Sequence, residues 1–161
     1  MNPVYMRPDS VATALAELNE WRDCVSVLAG GTDLLVQMQN LAVQPEAIID
    51  ISGLRELQRI SQIGKTIEIG ALVTFREIEQ HSDLVKAASV IVQACGQVGS
   101  VQIRNRGTLG GNLGNASPAG DSIPALYVLE ADVELASSGG IRWVPISDFF
   151  SGPGQTVRRK D

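Results

Sequence analysis

The chain has 161 residues, 44% of them hydrophobic and 19% charged, with 18 acidic against 13 basic side chains and a formal net charge of -5. This is enough apolar material for a packed core, and the composition excludes a disordered chain. The acidic balance argues against a nucleic-acid partner and against an anionic membrane surface, both of which select basic faces, and no apolar run is long enough to span a bilayer.

The first elements read as a β-turn-α-β unit. Val11, Leu15, Leu18 and Trp21 share one helical face, with Asp9 or Ser10 as N-cap. Val25 to Ala29 forms a short buried strand feeding a glycine turn, and Thr32 or Asp33 caps a helix carried by Leu34, Leu35 and Met38. Ala47 to Ile51 is the next strand, and a right-handed crossover makes the two strands parallel neighbours. Leu57 to Gln62 and Thr66 to Gly70 read as a hairpin around Ile63-Gly64-Lys65. Thr74-Phe75-Arg76-Glu77 is a capping box, and Asp83 to Val98 carries one longer buried helix. A second glycine-bearing turn follows in Val101 to Asn115. Pro118 to Leu129 is helical in its second half, with Pro124 in the first turn, and Val133 to Ala136 pairs with Ile141 to Val144 as a hairpin. The class is α+β. The lobe boundary falls near Ser52-Gly53, giving an N-terminal βαβ lobe over residues 1–53 and a second α+β lobe over residues 54–161.

Several familiar sites fail on spacing. Gly64-Lys65-Thr66 resembles the end of a P-loop, but Arg59 stands where that motif needs glycine. No Gly-x-Gly-x-x-Gly occurs, so a Rossmann site is not supported. Cys24 and Cys95 match no metal or redox spacing and read as buried free thiols, leaving no ligand set for iron–sulfur or zinc. His81 lies in a polar link between helices and reads as solvated rather than catalytic. The N-terminus shows no signal-peptide pattern, which points to the cytoplasm. The closing Gln155 to Asp161 stretch reads as a place where a longer chain was cut or where order was lost, and Arg158-Arg159-Lys160 within it reads as a solvated tail.

Two segments carry the chemistry. Ala29-Gly30-Gly31-Thr32-Asp33-Leu34 follows a strand and enters a helix, and Thr108-Leu109-Gly110-Gly111-Asn112 sits in a stretch rich in glycine and asparagine. Paired glycines let backbone N–H groups approach an anion with no Cβ in the way, and a helix N-terminus beside them adds a favourable dipole. Two such turns predict a ligand with two linked phosphates gripped from both sides by main-chain amides. Arg104 and Arg106 neutralise phosphate, meet a partner subunit, or pair with Asp50 or Glu68. Asp121 is either a helix cap or an acceptor for ligand hydroxyls.

Ala29 to Leu34, Gln102 to Asn115 and Ala116-Ser117-Pro118-Ala119-Gly120-Asp121-Ser122 together resemble the flavin-binding subunit of the molybdenum hydroxylases, the xanthine, carbon monoxide and nicotinate dehydrogenase group. The similarity runs from Tyr5 to about Gly152 and includes Asp148-Phe149-Phe150. It implies the two-lobed FAD-binding fold shared with vanillyl-alcohol oxidase. It also implies that Val27, Leu28, Ala29, Gly30, Gly31, Thr32, Asp33 and Leu34 form one FAD pyrophosphate loop, and that Thr108, Leu109, Gly110, Gly111 and Asn112 form the other. Asp121 then matches an acidic contact to the flavin sugar chain, with Asn115 and Ser117 as further contacts. The implied role is transfer of electrons from 2Fe-2S clusters on a small subunit, fed by a molybdopterin-binding large subunit, through FAD to NAD+ or another acceptor. The alternatives are a stand-alone flavin oxidoreductase and a scaffold that has lost its flavin. The family chain continues past Asp161, with part of its ring-contacting residues there.

Overall fold

The computed structural model describes residues 3–158. Strand β1 (Val4–Met6) leads to helix α1 (Val11–Trp21), strand β2 (Val25–Leu28), helix α2 (Leu34–Gln39) and strand β3 (Ala47–Asp50). Ser10 caps α1, accepting from the Thr13 amide. The three strands form a parallel sheet in the order β1-β3-β2, with Val4 and Val25 both opposite Ala47. The central strand β3 is buried along its whole length, as its apolar run Ala47-Ile48-Ile49 requires. The expected parallel neighbours are therefore present, but β2 is an edge strand and only half-buried, because no further strand covers its outer side. Ala14, Ile49, Leu54 and Leu72 form a small core under this sheet, with Met6, Val11, Leu18 and Leu57 against it. Leu54, Leu57 and Leu72 lie beyond residue 53, so packing crosses the chain position at which composition alone divides the lobes.

The hairpin β4 (Ile60–Ile63) and β5 (Thr66–Ile69) forms as expected around Gly64, which has φ +63°. Its first strand starts later than the sequence pattern suggests, because Arg55–Leu57 takes a tight 3-10 turn and Leu57 turns into the smaller core. Helix α3 (Phe75–Gln80) opens on the predicted capping box: Thr74 Oγ1 accepts from the Glu77 amide, and Glu77 accepts from the Thr74 amide at 2.7 Å. The single helix expected over residues 83–98 is instead two helices, α4 (Ser82–Ala87) and α5 (Ser89–Gln97), separated by Ala88 at φ -145°, ψ 52°. Alanine is a strong helix former, so nothing in the sequence marks this break; tertiary packing overrides propensity. His81 closes α3 and opens α4 as the expected link residue, but it is half-buried rather than solvated, with Nδ1 buried and without a hydrogen-bond partner among the described residues.

The segment read as an open glycine turn is largely helical. It holds α6 (Val101–Arg104), capped by Ser100, and α7 (Leu109–Asn115), capped by Thr108 and closed by Ala116 in the left-handed region. Helix α8 (Ser122–Val128), hairpin β6 (Asp132–Ser137) and β7 (Gly140–Pro145), helix α9 (Ile146–Phe149) and the short pair β8 (Phe150–Gly152) and β9 (Gln155–Thr156) complete the described chain. Their apolar faces meet in the larger core, in which Phe75, Ile78, Leu84, Ile91, Cys95, Leu109, Leu113, Leu126 and Phe149 are buried.

Two further expectations are corrected. Cys95 is buried as expected, and burial first, then the nearby Glu79 carboxylate, pushes its thiol up to about 12. Cys24 is exposed, because it ends a 3-10 turn on the surface rather than opening β2 from inside. Arg158 is exposed, but it is anchored to the fold rather than part of a free tail: its guanidinium donates to the Gly114 carbonyl at 2.7 Å and to Thr156 Oγ1 at 3.1 Å. Arg159, Lys160 and Asp161 lie outside the described residues.

Candidate functional site

The end of β2 and the start of α7 face one another across a cleft of about 320 Å3. Val27, Ala29, Gly30, Thr32, Asp33 and Leu34 line one side, and Thr108, Gly111, Asn112, Asn115, Ser117 and Asp121 line the other. The fold thus brings together two segments, about eighty positions apart, that the glycine pattern paired from sequence. Leu28, Gly31, Leu109 and Gly110, also expected at the site, do not line the cleft. They act beneath it: Leu109 is buried in the larger core, and Gly31 shapes the turn at φ +75°.

The glycines have distinct reasons to be there. A Cβ on Gly30 would sit 1.9 Å from the Arg106 carbonyl oxygen, so the first turn rests directly on the backbone of the second segment. A Cβ on Gly110 would meet the Ala71 carbonyl oxygen at 2.7 Å and the Ala71 Cβ at 2.6 Å. Both positions are close backbone crossings that only glycine permits.

The two segments differ in their donors. Among the described residues, the amides of Ala29, Gly30, Gly31, Thr32, Asp33 and Leu34 donate no hydrogen bond. Six successive N–H groups on a partly buried turn require partners, since unpaired backbone donors are costly. Successive amides in such a turn make a concave anion-binding nest. The second segment spends most of its amides internally. Leu109 donates to the Val73 carbonyl at 3.0 Å and Gly110 to Ala71 at 2.9 Å; Gly111 donates to Thr108 Oγ1 at 3.1 Å and Asn112 to the Thr108 carbonyl at 3.0 Å. The expected grip by main-chain amides from both bends is therefore confined, at the second bend, to the Thr108 amide, which donates to no described residue.

What the second segment offers instead is side chains. Asn112 Oδ1 accepts from the buried Ser122 hydroxyl at 2.7 Å, which turns its Nδ2 donors away from α8. Asn115 Oδ1 accepts from Gln37 Nε2 at 3.4 Å, a bond that reaches across the cleft. Ser117 Oγ accepts from the Ala119 amide. Asp121 precedes α8 but makes no side-chain cap bond, so its exposed carboxylate keeps its acceptor capacity. Sequence reasoning missed Phe75, Val98, Ile103, Gly107 and Ala119, which also line the cleft. Phe75, Val98 and Ile103 read only as core or loop positions, although Gly107 lies inside the glycine-rich stretch itself.

The contacts of Arg104 bear on one of the alternatives left open for it, the pairing with Asp50 or Glu68. Its Nη1 donates to the Val98 and Gly99 carbonyls at 3.3 and 3.2 Å, and its Nε lies 3.5 Å from Glu79 Oε2. Neither Asp50 nor Glu68 is its partner. The hydrogen bond from Arg76 first, and then the charges of Arg76 and Arg104, hold Glu79 below the usual carboxylate range against the opposing effect of desolvation. Arg106 is exposed beside the cleft. Asp50 lies on the smaller core, where burial opposes its ionisation, yet hydrogen bonds from Ser52 and Tyr5 hold it below its usual value. No group of three or more His, Cys, Asp or Glu that could hold a metal occurs among the described residues, and no helix among them is long and apolar enough to cross a membrane.

The comparisons with known proteins agree with this geometry. The family model that describes the FAD binding domain in molybdopterin dehydrogenase matches residues 1–161. The nicotinate dehydrogenase FAD-subunit of Eubacterium barkeri is 40% identical over 151 residues, covering 93% of this chain and 51% of its own length. The carbon monoxide dehydrogenase medium chain of Hydrogenophaga pseudoflava is 34% identical over 154 residues, covering 95% of this chain and 53% of its own. A solved structure of carbon monoxide dehydrogenase from the same organism superposes with a TM-score of 0.97 at 31% identity, over 99% of this chain and 56% of that one. The chain spans about half the length of the curated relatives it matches. The mixed helices and strands described above are the α+β FAD-binding fold of these relatives, and the chain belongs to the family of FAD-binding domains of the molybdopterin dehydrogenases.

Proposed function

We propose that this chain is the FAD-binding part of an electron-transfer subunit of a molybdenum hydroxylase. The observation that carries the reading is the run of unpartnered amides from Ala29 to Leu34, in which every residue but Gly31 lines one cleft with Thr108, Asn112 and Asp121. A diphosphate supplies the acceptors that those amides lack, with donors from several directions and no side chain between. Gly31 at φ +75° turns the chain at this point, and Gly30 brings it against the second segment. The Thr108 amide and Asn112 Nδ2 complete the donor set from the opposite wall. Asp121, set apart from the phosphates, accepts from sugar hydroxyls. The carboxylate of Asp33 is held by Gln37. Val27, Phe75, Val98 and Ile103 give the cleft an apolar end suited to a planar ring.

FAD, when bound, supplies the redox chemistry, taking and passing on electrons; the protein supplies binding, orientation and electrostatics. The chain holds neither a thiolate cluster site nor a molybdenum site among its described residues, so in this reading those centres sit on partners. These are a molybdopterin-binding large subunit and a 2Fe-2S small subunit, with NAD+ or another acceptor downstream and the cytoplasm as location. Relatives named for nicotinate, carbon monoxide and xanthine dehydrogenases favour this assembly. In the same reading residues 1–53 and 54–161 are the two lobes of the FAD domain.

The test is purification of the full-length polypeptide and titration with FAD. The reading expects a yellow protein, or stoichiometric uptake by the colourless one, with NADH or a reduced iron–sulfur partner bleaching the flavin. A full-length protein that takes up no FAD would end it.

A further inference from the structure

Asp33 stands at the entrance of the amide-rich turn, as the N-cap residue of α2, yet its carboxylate does not cap the helix. An aspartate at that position ordinarily accepts from the second or third amide of its own helix. Here the Leu35 amide goes to the Gly31 carbonyl instead, at 3.3 Å. The Asp33 carboxylate accepts from Gln37 Nε2, one turn further along α2. The same Nε2 also donates to Asn115 Oδ1 on α7, at 3.4 Å. One side-chain amide therefore holds an acidic group on one wall of the cleft and an asparagine on the other.

The placement matters because Asp33 stands within a run of six amides that have no partner among the described residues. A carboxylate free to rotate there would be drawn to those donors and would repel a diphosphate seated on them. We infer that Gln37 is a positioning residue: it turns the Asp33 carboxylate aside and ties it to Asn115, keeping the nest open for the ligand's phosphates. This rests on the FAD reading of the cleft and adds a residue to it that touches none of the cleft-facing amides. Gln37 is absent from the glycine motif, and its role is visible only when α2 and α7 are placed together.

The experiment uses the full-length protein, stripped of flavin and titrated with FAD by quenching of flavin fluorescence, in four forms: parent, Gln37→Leu, Asp33→Asn and the double variant. Leucine keeps most of the side-chain volume and removes the donor. The expected result is an FAD dissociation constant about fivefold higher for Q37L, shrinking as salt is added, because the loss is charge repulsion at a partly solvated site. In the Asp33→Asn background the same Q37L change should cost less than twofold, since the charge is gone. A merely structural role for Gln37 would leave a loss of the same size in both backgrounds and at all salt concentrations, and would overturn the inference. So would an unchanged affinity in Q37L with an unchanged thermal midpoint. A parent protein that fails to bind FAD would bring down the reading of the cleft itself, whereas a parent that binds with no Asp33–Gln37 coupling would bring down only the role of Gln37.

Discussion

The two glycine-bearing segments look alike in sequence and do opposite things. In residues 29–34 the backbone is left open: six amides donate to no described residue. In residues 107–115 the backbone is structure: Leu109, Gly110, Gly111 and Asn112 are tied to Val73, Ala71 and Thr108, and the side chains of Asn112 and Asn115 face the cleft. The difference follows from what lies behind each segment. The first leaves a half-buried edge strand that no further strand covers on its outer side. The second packs onto Ala71 to Val73 and must satisfy its amides there. A Gly-Gly pair therefore signals a close backbone approach without saying whether a ligand or another segment makes it.

The largest effect should come from the contact that joins the segments. Gly30→Ala places a methyl 1.9 Å from the Arg106 carbonyl oxygen. It should cost about 3 kcal/mol or more and abolish FAD uptake, because backbone on both sides has to move; denaturant unfolding of the full-length protein reads the cost. Gly31→Ala, at φ +75° with Leu35 and Leu28 carbons at 3.0 and 3.2 Å, should be milder, at about 1–2 kcal/mol. Its larger consequence should be a weaker FAD complex, since the nest loses its geometry. Thr108→Val removes the oxygen that caps α7 and should cost about 1 kcal/mol of stability, read as a lowered thermal midpoint, with a smaller change in affinity. If Thr108→Val weakened FAD more than Gly31→Ala does, the division between a binding backbone and a structural backbone would be reversed.

Asp121 separates the two uses of a polar residue near a helix start. It caps nothing, so Asp121→Asn should leave the melting temperature unchanged while raising the FAD dissociation constant by about tenfold. A fall in stability without a change in affinity would restore the capping reading. The smallest effect concerns Asp50, whose folded-state pKa is lowered. A lowered pKa means the folded state favours the ionised form. The stability this contributes is present above the ordinary carboxylate pKa and is lost as pH falls through the folded value. Unfolding measured between about pH 5 and pH 2 should show an acid loss that Asp50→Asn reduces.

Much of the scaffold is legible in the sequence because its signals are local. The Thr74–Glu77 capping box, the Ser10 cap and the two hairpins all form as their residues predict, apart from the late start of β4. What the sequence hid is tertiary. The break at Ala88 has no local cause, and α7 forms despite three glycines in seven residues because Ala71 and the Thr108 cap hold it. The site was legible as two motifs, since glycine reports close approach at each. The cleft's apolar end was not, because Phe75, Val98 and Ile103 carry no signal distinguishing a core side chain from one at a cleft wall. Nor was the Gln37 bridge, which joins residues on two helices 78 positions apart.

Amide hydrogen exchange on the full-length protein, with and without FAD, addresses the contrast most directly. Without ligand, residues 29–34 should exchange fast and residues 109–112 slowly; with FAD, protection should rise sharply in 29–34 and hardly change in 109–112. Protection appearing in 109–112 while 29–34 stays open would contradict it.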